Sequence, residues 1–482
     1  MALEELSKLL FFLVAGTTFV FFRILYQTHQ LRRLEALNGC KDPPNESKRF
    51  KYDLFGIRKA IEVCWHMKNR TFLAYTNSLF KKYGETYTFS MLGYRFIFTY
   101  NTANIGHTMH AGLSDFDSAP LRKHLFEPLM PHNIFTLDGT EWRKSREELR
   151  VRLARPRNIV DLDILEGLVQ AASKRIPDDG MPCDIQELIF ALSLDIQSSL
   201  FLGECVDSLS PSQTGEKKQF VQDLLFCKDM ISIDGFRGPL RHLFFPSRLR
   251  FLMACSRIRR YIDACAARQT TNQTERRLFN EQVMVILLAN DSTGTTLSGL
   301  FFELSKNERI VKKLRESILE TVGDSPPTWQ QLSKLHYVRW TLQEALRLYP
   351  PSAVNARLTN KNTTLPTGGG PDGTSPISVR KGDVVFFSTW ALHRLGTAFG
   401  DQPEEFRPER WETLTIGMPG YIPFNKGARI CPGQLHAMPI LTYVVARLFQ
   451  TYSKVIDYNT QPFKERINLT LENENGVHVG LC

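Results

Sequence analysis

The segment 424–433 places the tightest constraint on how this chain can fold. It holds a single cysteine, Cys431, which follows Arg429 and lies between Gly427 and Gly433, directly before a segment of helical character. Glycines let the backbone of such a loop approach a flat ligand closely. Backbone amides and the N-terminus of the following helix can stabilise a thiolate. The segment therefore predicts a loop that presents an activated sulfur to a planar ligand.

Composition excludes several other classes of protein. The chain has 482 residues, of which 43% are hydrophobic and 23% charged, and this excludes both a disordered chain and a multi-spanning membrane protein. The length alone predicts roughly three domains, yet from Phe50 onward no linker divides the chain. The net charge of +10 fits an anionic membrane surface or an acidic protein partner. No nucleic acid partner is expected, because Lys and Arg are spread along the chain.

The cysteines indicate a reducing compartment. There are nine, an odd number, and they are widely spaced with no Cys-x-x-Cys pair. This pattern argues against a disulfide framework and against a zinc site. Most of the nine are expected to be small buried apolar side chains.

The N-terminal region predicts a membrane anchor. Residues 9–26 are apolar except for Arg23, and a helix of this length spans the core of a bilayer. Arg32 and Arg33 follow, so the positive-inside rule places the body in the cytosol. A cleaved signal peptide is the alternative, but a basic leader and a clear cleavage site are missing. We expect an anchor over 1–27, a linker over 28–49 and a single body over 50–482.

Helical periodicity dominates the body, so the predicted fold class is mainly α with a minor β portion. The predicted helices cover 140–154, 281–306, 340–349 and 434–452, the strands lie within 86–100 and 384–388, and a Gly/Pro loop covers 368–376. Residues 269–274 are predicted to form a short polar loop before the second of these helices.

Thiolate ligation by Cys431 suits a haem iron, where it promotes O–O cleavage, and Arg429 can pair with a haem propionate. Residues Phe424, Gly427, Arg429, Cys431 and Gly433 match in full the haem-binding signature Phe-x-x-Gly-x-Arg-x-Cys-x-Gly. A buried cysteine in a glycine turn is the simpler alternative, and five matches at fixed spacing disfavour it. The chain thus resembles the cytochrome P-450 family. The resemblance implies the P-450 fold, one large haem-binding domain, and haem b with Cys431 as the metal ligand.

Further motifs follow the family order. Glu344 and Arg347 resemble its Glu-x-x-Arg helix, and Arg410 lies in a segment that resembles its Pro-Glu-Arg motif. The resemblance implies that these three residues form a buried triad with a structural role, which holds the cysteine loop in place. Three more residues are candidate partners of the haem propionates by the same resemblance: Trp142, Arg146 and Arg357.

The oxygen-activation motif departs from the family pattern, in which a small residue precedes Gly, an acid and an alcohol on a long helix. Counted forward from Ala289, Asn290 replaces the Gly, Ser292 replaces the acid and Thr293 keeps the alcohol. Counted backward, one residue is missing, and Asp291 and Ser292 take the acid and alcohol positions. We favour the backward count, because a single deletion, which turns a helix by about 100°, restores both groups. The predicted catalytic relay is Asp291, Ser292 and Thr293; the alternative is that they only satisfy a buried helix.

The resemblance runs from about Gly39 to the last residue and is closest to the fungal subgroup that hydroxylates alkanes and fatty acids. It is strongest over 134–139, 362–373 and 424–433. It implies a single-pass enzyme of the endoplasmic reticulum membrane that oxidises a lipophilic substrate. Electrons would come from NADPH through a separate flavoprotein reductase, since neither a nucleotide-binding Gly-x-Gly-x-x-Gly motif nor a flavin domain appears in the chain. Residues 118–133, with Phe126 and Met130, are predicted to line the substrate site.

Two other functions remain open. The altered motif around Asp291 is compatible with a haem-thiolate tailoring enzyme that oxidises or rearranges a fungal secondary metabolite. A haem binder without turnover is the non-enzyme alternative, and the intact Cys431 loop argues against it.

Overall fold

The computed structural model describes residues 5, 18, 22, 25–26, 28–49, 53, 55–238, 241 and 244–482. The anchor predicted over residues 1–27 lies outside the described residues, apart from positions 5, 18, 22 and 25–26. Among the helices that the structure does describe, none is both long enough and apolar enough to cross a bilayer.

Helices dominate the described chain, with a minor share of strand, which confirms the predicted fold class. The helices, in chain order, are α1 (Ile57–Lys68), α2 (Phe72–Tyr83), α3 (Thr102–Gly106), α4 (Ala119–Phe126), α5 (Gly139–Leu153), α6 (Pro156–Ile159), α7 (Leu162–Ser173), α8 (Ile185–Phe201), α9 (Gly215–Arg237), α10 (Phe245–Gln269), α11 (Gln273–Ala289), α12 (Asp291–Leu304), α13 (Glu308–Val322), α14 (Trp329–Lys334), α15 (His336–Leu348), α16 (Thr389–Leu395) and α17 (Gln434–Thr451). The helices predicted over 140–154, 340–349 and 434–452 correspond to α5, α15 and α17.

The strands form small sheets beside the helical body. They are β1 (Thr86–Met91), β2 (Tyr94–Thr99), β3 (Phe116–Asp117), β4 (Cys183–Asp184), β5 (Val354–Thr359), β6 (Thr363–Gly369), β7 (Ser375–Val379), β8 (Val384–Ser388), β9 (Val455–Asp457), β10 (Glu465–Ile467), β11 (Leu471–Asn473) and β12 (His478–Leu481). The largest sheet has the order β1-β2-β8-β5-β3, and β2 pairs with β8 in parallel. The strand region predicted over 86–100 is therefore a hairpin, and the loop predicted over 368–376 is the turn between β6 and β7.

The predicted helix over 281–306 is wrong in two respects. Helix α11 already begins at Gln273, because the Asn272 side chain accepts hydrogen bonds from the amides of Thr274 and Glu275 and caps the helix. The helix is also interrupted at Asn290, where α11 ends and α12 begins. The loop predicted before it is correspondingly short, since α10 ends at Gln269.

The segment predicted as a linker, 28–49, is structured. Residues 28–38 are helical, and Asn45 forms an isolated β-bridge with Thr88. Glu46 is fully buried and pairs with the ammonium of Lys59 at 2.9 Å. The boundary predicted at residue 50 therefore falls within chain that packs on the body.

Two large apolar clusters build the body. One packs α12 among α8, α15 and α17, and the other gathers α5, α9, α10 and α11. Helices α11 and α12 follow each other directly, so the interruption at Asn290 lies where the two clusters meet. This arrangement leaves a cavity beside the interruption.

Candidate active site

Cys431 lies immediately before α17 in a loop fixed by its own backbone. Its amide donates to the Phe424 carbonyl at 2.8 Å, and the Ile430 amide donates to the Gly427 carbonyl at 3.1 Å. Burial raises the pKa of the Cys431 thiol, while the amides of Gly433 and Gln434 and the charge of Arg146 lower it. A thiolate buried in this way needs a cationic partner, which a haem iron provides.

Gly427 is required by a close backbone approach. Its φ is +67°, and a Cβ atom there would lie 2.3 Å from the carbonyl oxygen of Met109. Only glycine fits such a position without moving the backbone. Gly427 thus seats the cysteine loop, whereas Phe424, Cys431 and Gly433 line the cavity itself.

The cavity beside Cys431 has a volume of about 550 Å³. Helices α4, α5, α11, α12 and α17, strand β5 and the β10–β11 turn contribute to its walls. Most of the lining is apolar, and the polar residues gather near the cysteine loop and the helix interruption. Such a site buries a large apolar ligand and orients it through a few polar groups.

Three arginines converge at one end of this cavity: Arg122, Arg357 and Arg429. Burial, together with the charge of Arg429, lowers the pKa of Arg122 to about 10. Burial, together with the charges of the other two arginines, holds the pKa of Arg357 well below its usual range. Asp138 pairs with Arg429 and offsets part of these charges, and Asp117 is a second acidic group that acts on Arg429.

The positive charge of this arginine cluster is under-compensated. The Nε atoms of Arg357 and Arg429 are buried and have no hydrogen-bond partner within the described chain. Arg122 and Arg357 share the Asn355 side-chain oxygen, at 2.6 and 2.8 Å. A cluster with spare donors and excess positive charge fits a dianionic group such as the two propionates of haem.

Helix α5 adds an aromatic wall and a fourth guanidinium. Trp142 is buried, and the Arg429 guanidinium carbon lies 4.2 Å from its ring centroid. Arg146, one turn further on, lies 5.7 Å from the same ring and donates to the carbonyl of Ile430. The structure therefore brings the predicted residues Trp142, Arg146, Arg357 and Arg429 around one cavity with Cys431.

Arg122 was missed by sequence reasoning as a member of this cluster. It lies on α4, within the basic and apolar stretch 118–133 that was assigned to the substrate site. The same stretch also needs a correction. Phe126 lines the cavity, but Met130 packs in the apolar cluster around α9 and α10, and Lys123 is exposed and pairs with Glu127.

His436 and Gln197 are two further cavity residues that no sequence pattern identified. His436 lies on the first turn of α17, and burial lowers its pKa to about 4, so it is neutral at pH 7. Its Nε2 lies 3.3 Å from the Gln197 side-chain oxygen, and its Nδ1 is buried without a partner in the described chain.

Glu344, Arg347 and Arg410 meet behind the cysteine loop. The Glu344 carboxylate accepts two hydrogen bonds from Arg347, at 2.8 and 2.9 Å, and one from Arg410 at 2.9 Å. Trp411 and the Arg407 amide donate to the same carboxylate, both at 3.0 Å. Backbone carbonyls of the loop 393–405 occupy the outer nitrogens of both arginines.

The interruption between α11 and α12 separates the predicted relay residues. Ser292 and Thr293 line the cavity, but Asp291 is buried on the other side of the helix and pairs with Lys228 at 2.6 Å. This corrects the predicted placement of Asp291, because the Lys228 ammonium on α9 holds its carboxylate away from the cavity. Ala289 and Thr293 line the cavity one turn apart, which fits the forward count of the motif.

Side chains satisfy the carbonyl groups freed at the interruption. The Ser292 hydroxyl donates to the Ala289 carbonyl at 2.7 Å. The Ser193 hydroxyl and the Thr293 amide donate to the Asn290 carbonyl, at 2.8 and 3.0 Å. These hydrogen bonds keep the interruption within a single turn of the helix.

Comparison with known proteins decides the family. The family model described as Cytochrome P450 matches residues 58–289 and 273–478. The chain belongs to the cytochrome P450 family. It is an oxidoreductase of the monooxygenase class, and membership of the family implies a haem iron with thiolate ligation.

Curated cytochrome P450 proteins match over most of the chain. The cytochrome P450 monooxygenase fsdH of Fusarium heterosporum is 31% identical, over 93% of this chain and 84% of that protein. Cytochrome P450 52A13 of Debaryomyces hansenii is 30% identical, over 93% of both chains. Cytochrome P450 52A5 of Candida maltosa is 33% identical, over 82% of both.

Proposed function

We propose that this cytochrome P450 hydroxylates a long-chain fatty acyl, alkane or related lipophilic substrate, with haem b held by Cys431. The observation that carries the proposal is the mainly apolar cavity that ends at the Cys431 thiol. When bound, haem supplies the reductive activation of O2 and the insertion of one oxygen atom into a C–H bond. The second oxygen leaves as water, so each turnover takes up two electrons and two protons.

The apolar walls bind the substrate and exclude water. Phe126, Phe135, Leu149, Ile286 and Leu469 come from different elements and face one space. Each methylene of an acyl chain buried there contributes about 0.8 kcal/mol to binding. The affinity for an acyl or alkyl substrate therefore rises with the number of its buried methylenes. In this proposal the helix interruption faces the carbon that is oxidised.

The chain's own residues must bring the two protons. We retain Asp291, Ser292 and Thr293 as the proposed relay, with the two hydroxyls at the cavity and the acid behind the helix. The Ser292 proton is engaged by the Ala289 carbonyl at 2.7 Å. Thr293 is therefore the proposed hydroxyl nearest to delivery, and Ser292 and Asp291 resupply it.

Electrons reach the site from outside the chain. We propose an NADPH-dependent flavoprotein reductase as the donor, supported by the family's use of a redox partner. Helix α5 exposes Arg143 and Lys144 beside Trp142 and Arg146, whose side chains reach the cysteine loop. A basic surface this close to Cys431 suits an acidic reductase.

We propose the endoplasmic reticulum membrane as the location, with one anchor over residues 1–27 and the body in the cytosol. A variant lacking residues 1–27 should shift from the membrane fraction to the supernatant. Unchanged membrane association would mean that the body attaches by its own surface.

Haem-thiolate ligation and substrate class are tested separately. Reduced protein with CO should show a Soret band at about 450 nm that Cys431→Ser abolishes. A wild-type protein that loads haem without this band would contradict thiolate ligation. Dodecane and dodecanoic acid, incubated with reductase and NADPH under ¹⁸O2, should then yield singly labelled alcohols. A 450 nm band without either alcohol would contradict the substrate class alone.

A tailoring enzyme that rearranges a fungal secondary metabolite is the second candidate. The observation in its favour is the sequestered Asp291, because a rearrangement needs no protons for O2 reduction. Turnover without NADPH and reductase would favour this candidate, and strict dependence on both would contradict a rearrangement.

A further inference from the structure

Two adjacent residues of α9 hold two different parts of the site. Lys228 is 2% exposed, and its ammonium donates to the side-chain oxygens of Asn290 at 2.7 Å and Asp291 at 2.6 Å. It therefore binds both residues at the interruption between α11 and α12. A buried lysine with two oxygen acceptors fixes the direction in which this turn of the helix points.

Asp229, the next residue, binds the β10–β11 hairpin. Its carboxylate accepts a hydrogen bond from Asn468 at 2.9 Å and pairs with Arg466 at 3.3 Å. The turn of this hairpin carries Leu469 and Thr470, which line the cavity. Asp229, which is half exposed, thus contacts the hairpin directly before the turn residues that line the cavity.

The two contacts share one rigid support. Lys228 and Asp229 lie within one turn of α9, so a shift of that helix moves both partners together. A buried ion pair is a poor source of stability, because desolvation offsets most of its attraction. Its better-attested use is to specify one arrangement among several. Here the specified arrangement is the position of the β10–β11 hairpin relative to the helical turn that carries Ser292 and Thr293.

We propose that Lys228 and Asp229 form a clasp, here called the α9 clasp, that positions the relay turn according to the place of the β10–β11 hairpin. The apolar part of a substrate that packs against Leu469 fixes the position of the hairpin. Because α9 carries both Asp229 and Lys228, it transmits this position to Asn290 and Asp291. Lys228 and Asp229 are positioning residues. The inference rests on the monooxygenase activity. It does not depend on which long-chain compound is the substrate.

Hydrogen exchange of the haem-loaded protein gives the direct test. Lys228→Met/Asp291→Asn removes both charges, so neither is left buried without a partner, and Asp229→Asn loosens only the hairpin contact. Because coupling is reciprocal, the first variant should speed exchange at 468–470, and the second should speed exchange at 290–296. Lys218→Met, an exposed position on the same helix, is the matched control.

Turnover gives a second readout. Asp229→Asn leaves the proposed relay residues unchanged, so it should keep the 450 nm band and at least double the NADPH consumed per product, while Lys228→Arg, which keeps the charge, should hold the wild-type ratio. Exchange changes confined to the element that each variant touches would overturn the proposal, as would a ratio for Asp229→Asn equal to that of Lys218→Met. Absence of product in every variant, with the cross-exchange intact, would contradict the substrate class and leave the clasp standing.

Discussion

Two arginine clusters on either side of the cysteine loop handle buried charge in opposite ways. Behind the loop, the Glu344 carboxylate accepts hydrogen bonds from Arg347 and Arg410 and balances their charge. Backbone carbonyls accept hydrogen bonds from other N–H groups of the two arginines. In front of the loop, Arg357 and Arg429 keep buried donors without partners. The first cluster has its partners within the described chain, which suits the structural role expected of it. The second has donors to spare, which suits the binding of an anionic ligand.

Whether the buried donors of a cluster have partners distinguishes a structural cluster from a binding cluster, and no sequence motif is needed for this distinction. In a buried network whose groups all have partners, a substitution that removes one partner lowers the stability strongly, because the other groups stay charged and desolvated. An unsatisfied one costs stability until its ligand binds and then contributes to affinity. Removal of one charged group should therefore lower the stability of the haem-free protein in the first cluster and raise it in the second.

The largest expected effect is at Glu344. Glu344→Gln leaves Arg347 and Arg410 buried without a counter-charge, and we expect a loss of about 3–5 kcal/mol in the free energy of unfolding. Urea unfolding and the yield of protein with the 450 nm band measure this. Glu316→Gln, in an exposed pair with Lys312, is the control and should change neither. A Glu344→Gln protein of wild-type stability would remove the distinction between the clusters.

Arg357 should respond in the opposite sense. Arg357→Met removes a buried charge with a spare donor, so the haem-free protein should gain about 1 kcal/mol or more. The loaded protein should lose haem to a scavenging protein roughly 10–100-fold faster, as is typical when a group that supports a bound centre is removed. Arg380→Met, an exposed arginine, should do neither. Lower stability of the haem-free variant would show that Arg357 serves the fold.

Glu472 is intermediate between the fully partnered Glu344 and the under-compensated Arg357, because it is largely buried with only a distant counter-charge. Burial raises its pKa to about 7, with Arg466 at 3.7 Å as its nearest counter-charge. Because this folded-state value lies above the unfolded one, stability falls as pH rises through 7. Glu472→Gln should remove about 1 kcal/mol of the loss between pH 6 and pH 8. Glu465, whose pKa burial also raises to about 7, keeps part of the slope.

Chemical unfolding at several pH values measures that slope. Glu474→Gln is the matched control, because it is exposed and faces the same Arg466. Equal slopes for Glu472→Gln and wild type would mean that Glu472 is ionised throughout this range.

The smallest expected effect distinguishes two neighbouring hydroxyls. Thr293→Ala should raise the NADPH consumed per product by about two- to fivefold, because the hydroxyl proposed to lie nearest to proton delivery is lost. Ser292→Ala should change it less, because the Ser292 proton already serves the Ala289 carbonyl. The ratio of product to NADPH measures both. A larger effect at Ser292 would favour the backward count of the motif.

Local spacing predicted what short stretches of chain decide. The Cys431 loop and the Glu344–Arg347 pair lie within single segments, so their geometry follows from turn chemistry and from helix periodicity. The helix ends of α5 and α17 followed for the same reason. Their neighbours along the chain already set their conformation.

Tertiary contacts decided what the sequence could not show. Asp291 faces away from the cavity because Lys228, on a helix much earlier in the chain, binds its carboxylate. Arg122 joins the basic cluster only because the fold brings α4 against β5, where Asn355 accepts from it. Neither contact leaves a periodic or compositional signal in either segment.

The sheet that flanks the site also governs how the protein can be made. Strand β2 pairs with β8, with Phe98 opposite Phe386, and the two strands lie roughly 290 residues apart in the chain. At synthesis rates of about 5–20 residues per second, the aromatic β1–β2 hairpin waits about 15–60 s for its partner. An open strand edge exposed for that long is prone to aggregate. Ample chaperone, which covers this edge until β8 is made, should therefore raise the yield of soluble protein.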